Sequence, residues 1–187
     1  MTQIGGPDDE SLAIRRSLVK ILSKSGIKLI DAGSVVTGKD FLLKIWSLLL
    51  AVPLGIAIIN EKMRPDAMCN IFYELGVLQA YGKETLVVKT EGARIPSDFV
   101  RTEYVKYDGD FRRGMEKFLE HFLAQADYYE SVADLLQQNP LLSIDYLRRA
   151  YLISGKDEIR SKVKNIAASV ELSGRARDSV EMLLVDF

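Results

Sequence analysis

The chain has 187 residues, a formal net charge of −1 and a hydrophobic share of 48%. That is enough apolar material for one α/β domain with a small appendage, and too little net charge to attract nucleic acid or anionic lipid across a whole face. One cysteine, Cys69, excludes an internal disulfide and suits a reducing compartment, and one histidine, His121, excludes a histidine-built metal site. In chain order, MTQIGG predicts a short first strand ending at Gly5 and Gly6. SLAIRRSLVKILSKSG then repeats Leu12, Ile14, Leu18, Ile21 and Leu22 at near-helical spacing, with Gly26 as its C-cap. IKLID, at 27–31, predicts a second strand, and a loop through Gly33 and Gly38 leads to a helix over about 40–50.

Residues 41–59, FLLKIWSLLLAVPLGIAII, are about as long as a bilayer-spanning helix. Lys44 interrupts the run, and Pro53 and Gly55 break it, so it divides into an amphipathic helix ending near Ala51 and a buried strand, LGIAIIN. No secretory leader opens the chain, and the expected localisation is cytoplasmic. A polar loop, NEKMRPDAMC, precedes a helix over about 67–81 that ends at Gly82. TLVVKT, at 85–90, reads as a buried strand and EYVKYD, at 103–108, as a more exposed one. Beyond Phe111 the pattern is helical only, with Asn139-Pro140 as a stop and no repeat at a fixed period.

Strands alternating with single helices predict a parallel sheet covered on both faces. Five such strands suit a flavodoxin-like order of 2-1-3-4-5, with residues 1–125 as the α/β domain and 126–187 as a helical extension for self or partner contact. Ligands of such sheets bind beyond the carboxyl ends of the strands, where the loops at 5–10, 31–39 and 60–70 would meet.

Glu74 is the most conspicuous candidate there, an acid between Tyr73 and Leu75 in the helix after the third strand. Asn70 lies four residues before it, on the same side of the helix. A carboxylate beside a glycosidic carbon can stabilise an oxocarbenium-type cation, bind ribose hydroxyls or attack the anomeric centre. From the residues alone a plainer role is the preferred one, since acids favour the first turns of helices for the dipole alone. Asp31 could bind a ribose hydroxyl or form a turn, Gly5 and Gly6 could admit a phosphate, and Arg64 could neutralise a pyrophosphate. Tyr73 could wall the pocket, while Trp46 is expected in the core. Cys69 has no partner to activate its thiol, and His121 falls outside the crevice.

The ordered run NIFYELGVLQAYGKETLVVKTEGARIPSDFVRTEYVKYD, at 70–108, resembles the TIR-like nucleotide-binding domains of bacterial defence proteins and the related nucleoside 2-deoxyribosyltransferases. With the weaker agreement of GGPDDESLAI and GKDFLLKIW, the resemblance covers about 100 residues. It implies a flavodoxin-like fold and gives Glu74 the role of the functional glutamate, for NAD glycohydrolysis in the first family or deoxyribosyl transfer in the second. NAD or another nucleotide would then be substrate, with no separate cofactor, no metal and a homo-oligomeric assembly. Pro53 and Asn60 stand where deoxyribosyltransferases carry acids, which counts against deoxyribosyl transfer and leaves Asn60 as a ligand contact. A nucleoside N-hydrolase and a non-catalytic nucleotide-sensing or self-association module are the alternatives.

Overall fold

In a computed structural model, residues 8–30, 45–46, 48–49, 51–96, 103–136, 138–169, 174 and 178 are described. The chain divides into two compact units, Met1–Leu119 and Glu120–Phe187.

The first unit opens with α1, Asp9–Lys24. Asp8 is its N-cap, its side chain accepting from the Ser11 amide at 2.9 Å, and Asp9 and Glu10 set negative charge against the positive end of the helix. Ile14, Leu18 and Leu22 form the buried stripe that the spacing predicts. Gly26, at φ 71°, reverses the chain, and the Ile27 amide closes the last turn on the Leu22 carbonyl at 3.0 Å.

Residues 45, 46, 48, 49 and 51 are helical, and the rest of the helix expected over 40–50 lies outside the described residues. Pro53 ends the apolar run, and β1, Leu54–Ile59, follows. No helix among the described residues is long and apolar enough to cross a membrane. The crossover helix α2, Pro65–Ala80, leads to β2, Glu84–Lys89, and then to β3, Tyr104–Lys106. Both strand pairs are parallel, Ile59 opposite Lys89 and Val88 opposite Val105, giving the order β1-β2-β3.

The five-stranded 2-1-3-4-5 sheet expected from the sequence is therefore corrected: the described residues form a sheet of three strands. The predicted strand at 1–6 lies outside the described residues. The predicted strand at 27–31 is irregular over 27–30. Its first amide is already spent on the end of α1, and Lys28 and Ile30 stand exposed. Apolar spacing in IKLID thus marks the exit of a helix and not a ladder.

Side chains alternate between the faces of a strand, which sorts the core. Ala57, Ile59 and Val87 join Met63, Ala67, Ile71, Phe72 and Leu75 of the α2 side in one apolar cluster. Ile58, Asn60 and Val88 fall on the other face, where α1 packs against β1. The next helix, α3, Phe111–Leu135, starts where Tyr107 meets Phe111 edge to face at 4.9 Å. Its Gly114 permits close approach to the sheet, since a Cβ there would lie 2.9 Å from Val105 Cγ1.

The second unit holds the later turns of α3, then α4, Pro140–Ser154, and α5, Asp157–Ser169. Asn139 caps α4 by accepting the Leu142 amide and Pro140 stands at its start, while Gly155 ends it at φ 64°. Ala133, Ile144, Leu147, Ala150, Ile159 and Val163 form its core. The Ser143 hydroxyl donates to the Ala133 carbonyl at 3.0 Å inside that core, and Lys162 and Lys156 of the α5 side reach Glu130 and Asp127 of α3.

Candidate functional site

A hydrogen-bonded polar cluster of the first unit lies at the carboxyl end of β1, where α1 begins. Asn60 follows β1 directly and is fully buried. Its amide nitrogen donates to Asp8 Oδ2 at 2.7 Å and to Ser11 Oγ at 2.9 Å, and its Oδ1 accepts the Lys62 amide at 3.0 Å. The same residue thus ties the end of β1 to the start of α1. A buried amide must find partners or cost about 1–3 kcal/mol, and here both amide hydrogens and the oxygen have found one within the protein.

Asp8 is the centre of the cluster. Burial works against its ionisation, but the bonds from the Ser11 amide, the Asn60 side chain and the Ser11 hydroxyl outweigh it and hold the carboxyl below the usual range. Asp8 and Ser11 were not singled out from the sequence. The signal was present, because a Pro-Asp-Asp-Glu-Ser run before an apolar stripe is a capping pattern, but capping says nothing of a tie to Asn60.

Thr90 follows β2, its amide extending the ladder to the Ile59 carbonyl at 3.1 Å. The residue is 6% exposed, and its Oγ1 is buried without a hydrogen-bond partner. An orphaned buried hydroxyl is uncommon in a well-satisfied interior. Nothing in TLVVKT distinguishes this threonine in the sequence, since the missing partner is a tertiary fact.

Glu74 is the tenth of the sixteen residues of α2, half-buried beside the stripe of Ala67, Ile71 and Leu78. The helix begins at Pro65, earlier than the spacing predicts, so Glu74 sits past the turns in which a helix dipole acts. Burial dominates instead and pushes its carboxyl above the ordinary glutamate range. A desolvated carboxyl with a raised pKa is better suited to meet an incoming positive charge than one stabilised in advance by backbone amides.

The remaining candidates are dispersed. Arg64 caps α2 through its backbone and pairs with Asp66 at 3.2 Å, both side chains more than half exposed. Asn70 is exposed, and Tyr73 is 59% exposed on the side of α2 away from the apolar cluster. Gly5, Gly6 and Asp31 lie outside the described residues. Trp46 is half-buried, Cys69 and His121 are exposed, and no group of three or more His, Cys, Asp or Glu among the described residues is placed to hold a metal ion. The chain matches no family model, and neither a curated protein nor a solved structure matches it significantly.

Proposed function

We propose that the first unit is a TIR-like domain that binds NAD or a related nucleotide in the cytoplasm and cleaves its N-glycosidic bond, with Glu74 as the key carboxylate. The supporting observation is Glu74 itself, a desolvated acid on the crossover helix between two parallel strands, within the run that resembles those domains. As nicotinamide departs, positive charge develops on the anomeric carbon and ring oxygen of the ribose. Water then adds to that carbon and gives up a proton. A half-buried carboxylate stabilises such a charge more strongly than one in water, and the arriving cation offsets the cost of burying it. Asn70 would assist the glutamate, Tyr73 would wall the site, Arg64 would meet the pyrophosphate, and Gly5, Gly6 and Asp31 would shape the remainder. Self-association through the helical unit would complete the enzyme.

One observation favours a second reading, a module that binds the nucleotide without turning it over. Asn60, which would contact the ligand, spends its whole amide on Asp8, Ser11 and Lys62. Chromatography of nicotinamide released from NAD by concentrated protein separates the two. Glu74→Gln is expected to lower release by at least about a hundredfold, in line with losing one preorganised charge-stabilising group. Full activity in that variant would end the mechanism. No release by the parent, with NAD still raising its melting temperature, would leave the binding module.

A further inference from the structure

Two polar groups with unspent capacity lie near the carboxyl ends of β1 and β2, one at the start of α1 and one directly after β2. Among the described residues Asp8 Oδ1 accepts one bond, from the Ser11 amide, whereas a carboxylate oxygen can accept two. Thr90 Oγ1 is buried and makes none. The strand register brings these two groups to one side of the sheet. Ile59 and Lys89 are opposite one another, and their successors Asn60 and Thr90 therefore fall on the same face. Asn60 declares which face that is, because its side chain reaches Asp8 and Ser11. Thr90 is thus aimed into the corner that Asp8 occupies, and α1, sixteen residues long, begins there.

Chemistry narrows the ligand. An ionised Asp8 repels phosphate but accepts from a hydroxyl, and a threonine hydroxyl can both donate and accept. Two such groups on one face of the sheet suit two adjacent hydroxyls on a sugar. We infer that Asp8 and Thr90 form a subsite for the vicinal diol of a ribose, with Asn60 as the positioning residue that holds Asp8 in place. This rests on the reading that the unit binds a nucleotide, and it names the part of the ligand that is recognised. The Thr90 hydroxyl is out of contact with solvent, so the sugar reaches it by displacing what covers it.

The test is calorimetric titration of the full chain with adenosine and with 2′-deoxyadenosine, for the parent and for Thr90→Val. The parent is expected to bind adenosine about tenfold more tightly, the worth of a ligand hydroxyl bonded to a charged partner. Thr90→Val is expected to erase that preference by weakening adenosine alone, without lowering the melting temperature. A merely structural Thr90 predicts the opposite, because removing an orphaned hydroxyl leaves affinity untouched. Asp8→Asn serves as a second variant and is expected to lose the same preference. Equal affinities in the parent, no binding of either nucleoside, or a preference that survives Thr90→Val would each overturn the subsite.

Nicotinamide release assayed in parallel keeps the two ideas apart. Release that needs Glu74 but has an unchanged KM in Thr90→Val removes the subsite and leaves the enzyme. A ribose preference lost in Thr90→Val, with no release by any variant, keeps the subsite and removes the cleavage.

Discussion

The buried hydroxyls Ser143 and Thr90, one in each unit, fare differently. In the helical unit the buried hydroxyl, Ser143, is matched to the Ala133 carbonyl, and the lysines that cross between helices end on Glu130 and Asp127. Each of these closes a helix contact, although Gln125 Oε1 and Arg160 Nε are buried in the same unit without a partner. In the first unit Thr90, at the carboxyl end of the middle strand, is left without a partner and Glu74, on α2, is half-buried at a cost to its charge, while both amide hydrogens of Asn60 are spent on Asp8 and Ser11. The difference lies in the kind of group left over: in the first unit it is a short hydroxyl fixed at the end of a strand, in the helical unit one atom of a long side chain on a helix.

The largest effects should come from the cores that define the comparison. Leu75→Ala and Leu147→Ala each empty a fully buried site, one per unit, and should each cost about 2–5 kcal/mol. Scanning calorimetry is expected to show each substitution lowering the transition of its own unit more than the other. Equal shifts in a single shared transition would break the division into two units.

Asn60→Ala comes next. It strands Asp8 and Ser11 without their amide donor and should cost about 1–3 kcal/mol. Asp8 is held below its ordinary value, so its share of stability is present above about pH 3.9 and is lost as pH falls through the native value. Acid melting curves should therefore be less steep in Asn60→Ala than in the parent. An unchanged acid limb would show that the tie to β1 does not hold the carboxylate ionised.

The smallest effect concerns Glu74, where the sign reverses. Its native carboxyl lies above the ordinary glutamate value of about 4.3, so the folded chain holds the proton longer and stability falls as pH rises through that window. Glu74→Gln removes this loss and should melt higher than the parent at pH 7, with the gap narrowing towards pH 4. A variant less stable than the parent at neutral pH would mean that the charge is used structurally. That would weaken the contrast between the units.

Much of the fold could be read along the chain because it depends on local signals. Asp8 and Gly26 bound α1, Pro53 divides the long apolar run, and Asn139-Pro140 starts α4. Capping and breaking residues act on neighbours within a turn, so no distant partner is needed to recognise them. The three described strands were legible for a similar reason, as short β-branched runs between such breaks. Glu74 was also legible, as an acid among apolar neighbours, although its environment was not.

The amino-acid sequence by itself thus determined most helix ends and the three strand-forming runs. Only the tertiary structure decided that IKLID leaves the sheet, because one amide can serve either a cap or a ladder. It also decided that Asn60 turns inward to Asp8 and that the hydroxyl of Thr90 is left over. Whether distant residues pair, as Asn60 and Asp8 do, or fail to, as Thr90 does, is settled by which groups packing brings within about 3 Å, which no local pattern encodes.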